Sequence, residues 1–512
     1  MAESFTEASA AEDRSPQAQP ARPAGLPTGP AGEARLAMDN GVKLLASLAG
    51  TWTIAIAVRL LLPRALGPER LGALSFAEAF AGACFVVLSL GVDTHLRKEA
   101  AVSLERTFAI LGGVLLLRVL LAGALLAAML GALHAAGRST ALLQLVAAFA
   151  IAQLLAEQNN TVSALLHAAG RVDGLSAVNV AAKLLWAIGV TAIVLAGLPL
   201  AGIALAAAVA EAFKAVALHA LARRTIGLRL SFEPRATWAA LVVSLPFFLN
   251  TAAHAAYAKL DVNLLGLVAS DREVGFYGAA GALAGLAGLI SPLVGWILLP
   301  LFSRAASRSA GELSSSVRRA LELVVCAVAP LSLALALAAG PLVTKLFGAP
   351  FAASAGALRL LAPMFVLTWA SVVLAAGLIA AGRGWQVTAI SGIALVVDAL
   401  LVLLLLPAAV ESGRAGAGGA ACATALLLAE AGVLIALVRT FGRAAIDSRL
   451  LRVVAGTGLA ALSAAVVHAL VPSGLPGLLL ALGAYAAVVL ALGAVRPAEL
   501  IAFVRAARRR TA

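Results

Sequence analysis

Long apolar segments recur along the chain from about residue 41 to about residue 495. Each segment has about 20 residues, enough to cross the roughly 30 Å hydrocarbon core of a bilayer as an α-helix. Because backbone polar groups inside a bilayer must be satisfied within the segment, helices are expected despite 47 Gly and 20 Pro residues. The pattern predicts an all-α polytopic membrane protein with about fourteen transmembrane helices. The predicted helices lie near residues 41–62, 71–92, 108–133, 141–167, 173–196, 200–221, 240–268, 274–300, 318–340, 357–381, 386–407, 416–438, 452–471 and 475–495.

The composition excludes most other classes of protein. Of 512 residues, 62% are hydrophobic and 12% are charged, whereas soluble proteins carry roughly 25% charged residues. A soluble enzyme, a nucleic-acid-binding protein and a disordered scaffold are therefore excluded. Cys84, Cys326 and Cys422 all lie in apolar segments without ligand spacing, which favours small buried side chains over a metal site.

The positive charge is distributed unevenly about the predicted helices. If the N-terminus is cytoplasmic, 26 of the 38 Lys and Arg residues fall in the termini and connections on the cytoplasmic side. Six fall in the outer loops: Arg64, Arg70, Arg138, Arg272, Lys345 and Arg414. This positive-inside distribution accounts for the net charge of +13 without a nucleic-acid partner, and it predicts that both termini are cytoplasmic.

Three short patterns occur once in each half of the chain, in the same order. They are Gly72 and Gly275 at a helix start, Ala-Ala-Gly-Arg at 168–171 and 380–383, and Ala-Glu-Ala at 210–212 and 429–431. The repeat predicts two six-helix lobes inserted in the same orientation, which is typical of transporters with a substrate site between the halves. The predicted organisation is a disordered cytoplasmic tail (1–40), a first lobe (41–224), an inter-lobe cytoplasmic loop (225–239), a second lobe (240–440), two extra helices (441–495) and a basic cytoplasmic tail (496–512).

Several motifs resemble those of a known family of membrane proteins. Arg-Ala-Leu-Gly-Pro-Glu at 64–69 resembles the turn after the first helix of polysaccharide flippases, which belong to the multidrug/oligosaccharidyl-lipid/polysaccharide exporter superfamily. Asp261, Val-Gly-Phe-Tyr at 274–277 and Pro-Leu-Phe-Ser at 300–303 are similar to the opening of that family's second half. Gly-Ala-Gly-Gly-Ala-Ala at 416–421 is similar to its entry into the twelfth helix.

The resemblance covers about residues 41–440 and implies a function. Fourteen helices suit the oligosaccharide-lipid branch of the superfamily better than its twelve-helix multidrug branch. The resemblance then implies a flippase that moves a polyprenyl-pyrophosphate-linked oligosaccharide from the inner to the outer leaflet of a bacterial cytoplasmic (inner) membrane, by alternating access, for cell-surface polysaccharide biosynthesis. The partners it implies are this glycan lipid, membrane lipids, and a polysaccharide polymerase or glycosyltransferases.

The first lobe carries an excess of cations within its predicted helices. Ionisable groups near the bilayer centre cost about 2.5–3.5 kcal/mol or more, so each requires a reason. Arg118 and Lys183 lie about ten residues into the third and fifth helices, where they could hold a pyrophosphate. Alternatively, each pairs with Glu157 or Glu78 as a structural contact. Arg59 is a third candidate for the pyrophosphate, and its alternative role is to reach the lipid headgroups.

Acidic residues predominate within the helices of the second lobe. Asp261 and Asp398 lie at matched predicted depth in the seventh and eleventh helices, where two carboxylates could bind Na⁺ or exchange a proton. In the resembling transporters, acidic residues on these helices can form the coupling site. Lys259 could instead neutralise Asp261. No other cofactor and no structural metal are expected.

Four consecutive polar residues, 157–160, interrupt the fourth helix. Because consecutive positions spread around a helix, they cannot all face one dry interface. Glu157 and Asn160, together with Glu78 of the second helix, are therefore candidate polar residues of a cavity. A polar seam between neighbouring helices is the alternative. Pro246 could bend the seventh helix for gating.

The sequence is compatible with two other functions. The chain has no G-x-x-x-x-G-K and no H-E-x-x-H motif, so no catalytic residues are predicted and the protein is not expected to be an enzyme. A membrane-embedded glycan ligase or polymerase usually has a larger outer loop than the roughly 16 residues available here. An ion-coupled multidrug antiporter should have a more acidic and aromatic cavity than this chain, whose residues are 5% aromatic.

Overall fold

The computed structural model describes residues 30–290, 298–442, 446–471 and 474–493. Its first two membrane spans form one helical stretch, Pro30–Phe85, interrupted at Gly67, where φ is 73° and ψ is 171°. In a straight helix, Arg59 and Glu78 would be about 28 Å apart at 1.5 Å per residue, yet their side chains approach to 3.8 Å. The chain therefore reverses at Gly67, in a conformation that glycine adopts at low cost, and forms helices α1 (30–66) and α2 (68–85).

Twelve further helical segments match the other predicted spans. They are α3 (Leu104–Ala135), α4 (Thr140–Ala168), α5 (Val172–Leu195), α6 (Ala201–Ile226), α7 (Pro234–Val268), α8 (Asp271–Ala284), α9 (Ala310–Phe347), α10 (Ser354–Ala380), α11 (Gly384–Glu411), α12 (Ala417–Phe441), α13 (Ser448–Leu470) and α14 (Leu475–Ala491). Most of them pass the length and hydropathy requirements of a membrane span. Two are shorter: α8 continues as a 3₁₀ helix to Ile290, and α14 has 17 residues. The predicted all-α polytopic membrane fold is confirmed.

The structure describes part of the predicted N-terminal tail and none of the predicted C-terminal tail. Residues 30–40 of the predicted N-terminal tail are helical, and residues 1–29 lie outside the described residues. The predicted basic tail, 496–512, also lies outside them.

The two lobes repeat the same local structure. Helices α4 and α10 both end at a glycine in the left-handed region, Gly170 (φ 72°) and Gly382 (φ 75°). The next N–H, of Arg171 or Arg383, donates back into the last turn at 2.9 and 2.8 Å respectively, which satisfies a free carbonyl at the helix end. Helices α2 and α8 are both followed by a 3₁₀ turn. A short amphipathic helix comes next among the described residues in each case, Val92–Val102 or Leu299–Arg308. The repeated Ala-Ala-Gly-Arg pattern therefore has the same local structure in both halves, and the two-lobe organisation stays a prediction.

Helix α7 links the two lobes and is bent within its span. Segments Pro234–Leu245 and Phe247–Val268 meet at 55°, as expected where Pro246 interrupts the helix. The first segment packs against the first lobe, where a Cβ at Gly91 would collide with the carbonyl oxygen of Ser244. The second segment contacts both lobes: a Cβ at Gly266 would collide with Phe76 of α2, and Tyr257 donates to Glu430 of α12. The predicted bend is present, and its role in gating stays a prediction.

The lobes meet closely at one end of the bundle, which we call the Gly67 end after the α1–α2 turn; the opposite end, at the α2–α3 connection, is the Gly91 end. At the Gly67 end, a Cβ at Gly72 of α2 would collide with the carbonyl oxygen of Asp271. A Cβ at Gly275 of α8 would likewise collide with the carbonyl oxygen of Pro68. Small residues allow membrane helices to approach in this way. In this conformation the two lobes are therefore closed against each other at the Gly67 end.

Helices α13 and α14 form a hairpin that packs against α9. Arg449 pairs with Glu322 at 3.2 Å, and Asp447 pairs with Arg318 at 3.6 Å, both at the Gly91 end. Inside the hairpin, small alanines and Tyr485 pack together and against leucines of α9. The hairpin is thus attached to the second lobe.

Candidate functional site

Arg118, in the middle of α3, is completely buried. Its five N–H groups donate to the carbonyl oxygens of Leu88 (2.6 Å), Ser89 (3.0 Å) and Glu157 (2.7 Å), to the Thr161 hydroxyl (2.6 Å) and to the Asp93 carboxylate (3.3 Å). A guanidinium has no further donors. In this conformation Arg118 therefore has no N–H group left for a phosphate.

The position of Arg118 follows from the way α2 ends. The helix passes into a 3₁₀ turn and stops at Leu90 (φ 51°) and Gly91 (φ 65°), both in the left-handed region. A helix that stops inside the protein leaves carbonyl oxygens without partners, and Arg118 supplies donors to two of them. The expectation that Arg118 faces a cavity is not met in this conformation, because the break in α2 occupies its guanidinium.

The other two predicted cations lie together with Glu78. Arg59 of α1 and Glu78 of α2 are 3.8 Å apart, and their side chains are 62% and 49% exposed. Lys183 of α5 is half-buried and within electrostatic range of both, and its Nζ lies 3.7 Å from the centroid of the Trp186 ring. Three helices of the first lobe therefore bring Arg59, Glu78 and Lys183 to one accessible place, and their role in binding stays a prediction.

A second pair of charges extends this cluster. Glu211 and Lys214 of α6 are both within electrostatic range of Lys183. The buried Asn159 donates to the carbonyl oxygen of Glu211 at 2.9 Å and to its carboxylate at 2.8 Å. We call Arg59, Glu78, Lys183, Glu211 and Lys214 the first-lobe charge cluster. It contains three cations and two carboxylates, so its net charge is positive.

The polar residues of α4 divide between different surroundings. Glu157 is half-buried, is within electrostatic range of Arg118 and Asp93, and accepts a weak hydrogen bond of 3.5 Å from Gln153. It therefore belongs with the Arg118 contacts rather than with the first-lobe charge cluster. Asn160 is exposed on the surface of α4. Of the three predicted polar cavity residues, only Glu78 lies in the cluster.

The structure brings Asp261 of α7 and Asp398 of α11 together in the second lobe. Both are buried, with exposed fractions of 6% and 0%. The carboxyl groups lie within hydrogen-bonding range of each other. Asp261 Oδ1 and both carboxylate oxygens of Asp398 are buried and accept no hydrogen bond from the described residues. The predicted proximity of these two residues is observed.

Two tyrosines that the sequence reasoning did not assign complete this acidic region. The Tyr277 hydroxyl of α8 donates to Asp261 Oδ2 at 2.5 Å. The Tyr257 hydroxyl, one turn before Asp261 on α7, donates to Glu430 of α12 at 2.7 Å. The chain has three tyrosines, and the spacing of Tyr257 four residues before Asp261 was a signal that could have placed it on the same face.

Lys259 does not form an ion pair with Asp261 within 4 Å among the described residues. The proposed neutralisation of Asp261 by Lys259 is therefore not seen. Two buried carboxylates that face each other without a cation repel, and a shared proton or a bound cation relieves this repulsion. Within the described residues, no group of three or more His, Cys, Asp or Glu side chains is arranged to hold a metal ion.

Glu273 of α8 positions the start of α12, the helix that carries Glu430. Its two carboxylate oxygens accept hydrogen bonds from the backbone N–H groups of Gly416 (2.6 Å) and Gly418 (2.9 Å). The first N–H groups of a helix have no partners within the helix, so Glu273 caps α12 from a neighbouring helix. This contact favours glycine at position 418, since a Cβ at Gly418 would lie 3.1 Å from the Glu273 carboxylate.

The sequence matches one family model over residues 39–306, that of the family described as "Polysaccharide biosynthesis protein". No curated protein sequence matches the chain significantly.

Several solved structures share the fold. The lipid II flippase MurJ in an inward closed conformation is 13% identical, with a TM-score of 0.67, and the match covers 90% of this chain and all of that one. A multidrug resistance MATE family transporter of the MOP superfamily in an inward-facing conformation is 16% identical, with a TM-score of 0.59 and coverage of 77% and 93%. The outward-facing conformation of such a transporter gives 18% identity, a TM-score of 0.52 and coverage of 79% and 94%. At these identities the likeness establishes the fold.

Proposed function

The chain belongs to the polysaccharide biosynthesis protein family, and from this premise we propose that it is a flippase for a polyprenyl-pyrophosphate-linked oligosaccharide. It moves this glycan lipid from the inner to the outer leaflet of a bacterial cytoplasmic membrane. The family match and the fold shared with a lipid flippase support this function. The distribution of Lys and Arg supports an orientation in which the Gly67 end is the outer end and both termini are cytoplasmic.

The first-lobe charge cluster is the observation that carries the proposal. A pyrophosphate group needs cations that it can reach, and Arg59 is well exposed while Lys183 is partly so. Arg offers a planar fork to phosphate oxygens, whereas Lys offers a point charge. Glu78 is the present partner of Arg59, and a pyrophosphate with its higher charge competes with it. The cluster therefore holds the headgroup while the polyprenyl chain remains in lipid.

Alternating access is the mechanism that this arrangement supports. The lobes are closed at the Gly67 end by the contact between α2 and α8, so the substrate enters from the Gly91 end. Separation of α2 from α8 then exposes the headgroup at the outer face. Because α7 packs against both lobes and is bent at residue 246, a change in this bend accompanies the movement.

Asp261 and Asp398 couple the movement to a cation. The buried pair needs a proton or Na⁺ to relieve the repulsion between its carboxylates. Uptake of this cation changes the preferred packing of α7, α8 and α11 around the pair, which favours one conformation of the transporter over the other.

A deletion strain tests the proposed function against a multidrug antiporter, the alternative suggested by the fold shared with MATE transporters. Two quantities are measured: lipid-linked glycan retained on the inner leaflet, and sensitivity to cationic dyes and drugs. Retained glycan with unchanged drug tolerance, restored by the wild-type gene and not by the Arg59→Gln, Lys183→Gln double variant, is the expected result. Drug sensitivity with normal glycan lipids would reject the flippase and identify an antiporter.

A further inference from the structure

A cavity opens at the Gly67 end, and neither the first-lobe charge cluster nor the acidic pair contributes to its lining. Its volume is about 460 Å³, within the range of small-ligand sites. Both lobes contribute to its lining: Arg70, Arg138 and Gln144 come from the first lobe and Asp271 from the second.

Arg138 connects the two lobes beside this cavity. It lies in the α3–α4 connection, and its Nη2 group donates to the carbonyl oxygens of Gly266 (2.9 Å) and Leu267 (3.2 Å) at the end of α7. These carbonyls belong to the last turn of the helix, which lacks internal partners and favours a cation. The guanidinium also lies 5.9 Å from the ring centroid of Phe76 in α2. Arg138 thus fastens α7 to the first lobe at the Gly67 end.

Both arginines of the cavity have N–H groups that make no hydrogen bond to the described residues. Arg70 donates from Nη2 to the carbonyl oxygen of Leu198 at 3.1 Å. The Nε and Nη1 groups of Arg70 and Arg138 donate to no other group among the described residues. Two guanidinium groups with unused donors on one cavity form a site for a carboxylate or phosphate.

The other polar groups of the cavity favour a sugar over a bare phosphate. Asp271 is exposed and in the first turn of α8, and Gln144 is exposed on α4. A carboxylate repels a phosphate but accepts hydrogen bonds from hydroxyl groups, and an amide both donates to and accepts from them.

We propose that this cavity binds an acidic sugar residue and that its carboxylate competes with the carbonyl oxygens of Gly266 and Leu267 for Arg138. An occupant that draws the guanidinium away from α7 loosens the attachment between the lobes at the Gly67 end. The identification of this sugar with part of the transported glycan rests on the proposed function, whereas binding itself does not.

Binding is tested with the full chain in nanodiscs and glucuronic acid as the probe, followed by saturation-transfer NMR. Glucose serves as the uncharged probe and inorganic pyrophosphate as the anion without hydroxyl groups. Glucuronic acid should bind, and Arg70→Gln and Arg138→Gln should each weaken binding about tenfold, the value of a lost charged hydrogen bond. Arg64→Gln, in the same turn as Arg70 but outside the cavity, should leave binding unchanged. Binding of pyrophosphate but not glucuronic acid, or equal binding by the Arg70→Gln, Arg138→Gln double variant, would overturn the proposal.

Competition for Arg138 is tested by the distance between spin labels on Thr140→Cys and Glu411→Cys, one on each lobe at the Gly67 end, in a background without the three native cysteines. Glucuronic acid should increase this distance in the otherwise unaltered chain. Arg138→Gln should increase it without any ligand, and Arg138→Lys, which keeps the charge but loses the fork, should give an intermediate distance. A distance that changes with neither the probe nor Arg138→Gln would overturn the competition. Neither readout depends on lipid transport, so failure here and failure of the proposed function are distinguishable.

Discussion

Gly72 and Gly275 contact each other across the boundary between the two lobes, where a Cβ at Gly72 would lie 2.8 Å from the backbone nitrogen of Gly275. These are also corresponding positions of the internal repeat. The contact therefore joins the same point of each lobe, and only residues without a side chain permit it.

Substitution of Gly275 by Ala should prevent closure at the Gly67 end. The new Cβ would collide with the backbone of Pro68, which a side-chain rotation cannot relieve, and overpacking of this kind typically costs 1–3 kcal/mol. We expect a longer distance between labels at Thr140 and Glu411 and loss of transport. The matched control is Gly281→Ala on the same helix, where no atom lies within 4 Å of the added Cβ; equal loss in the control would contradict the role of the contact.

Arg118→Met should destabilise the first lobe. It leaves the carbonyl oxygens of Leu88 and Ser89 without their donor and the Asp93 carboxylate without its cation, and breaking a buried charged contact costs about 3–5 kcal/mol. Thermal denaturation in detergent measures the effect. Arg106→Met, on the same helix with a side chain that is 77% exposed, should change stability by less than about 1 kcal/mol. If Arg118→Met were as stable as wild type but unable to bind substrate, Arg118 would be a binding residue.

Asp398→Asn should stabilise the protein and abolish coupling. The substitution removes one of the two buried carboxylates that face each other, and the new amide can donate to Asp261 Oδ1, which accepts no hydrogen bond from the described residues. We expect a higher denaturation temperature together with transport that no longer responds to a proton or Na⁺ gradient in proteoliposomes. Glu411→Gln, at the exposed end of the same helix, is the control. Gradient-driven transport by Asp398→Asn would show that the pair does not couple.

Glu78→Gln should strengthen the binding of a pyrophosphate lipid, because it releases Arg59 from its present partner. An exposed ion pair is worth about 1 kcal/mol at most, so the gain should not exceed about fivefold. Arg59→Gln and Lys183→Gln should weaken binding. Titration of the purified protein with farnesyl pyrophosphate measures all three, and weaker binding by Glu78→Gln would place this carboxylate in the binding site itself.

The fold and the acidic pair could be predicted from the sequence because both depend on regular helices. Hydropathy and the length of a span define the fourteen helices, and helical rise places Asp261 and Asp398 at similar depth. Two side chains at the same depth in one lobe come into contact if their helices turn them toward each other, as the helices of Asp261 and Asp398 do.

The surroundings of Arg118 could not be predicted in the same way. They depend on the irregular end of α2 at Leu90 and Gly91, which leaves carbonyl oxygens open to a guanidinium from α3. Hydropathy records no such break, since Leu90 continues an apolar run. The contacts of Arg138 with α7 were equally hidden, because its outer-loop position indicated orientation alone.

The connections at the Gly67 end are too short to let α2 and α8 move independently of the helices that precede them. Gly67 alone separates α1 from α2, and Ala269 and Ser270 alone separate α7 from α8. A connection of one or two residues cannot lengthen. When α2 separates from α8, α1 therefore moves with α2, and the adjoining part of α7 moves with α8. On the proposed mechanism, opening at this end therefore separates two helical hairpins rather than two single helices: α1 with α2, and the part of α7 after its bend with α8.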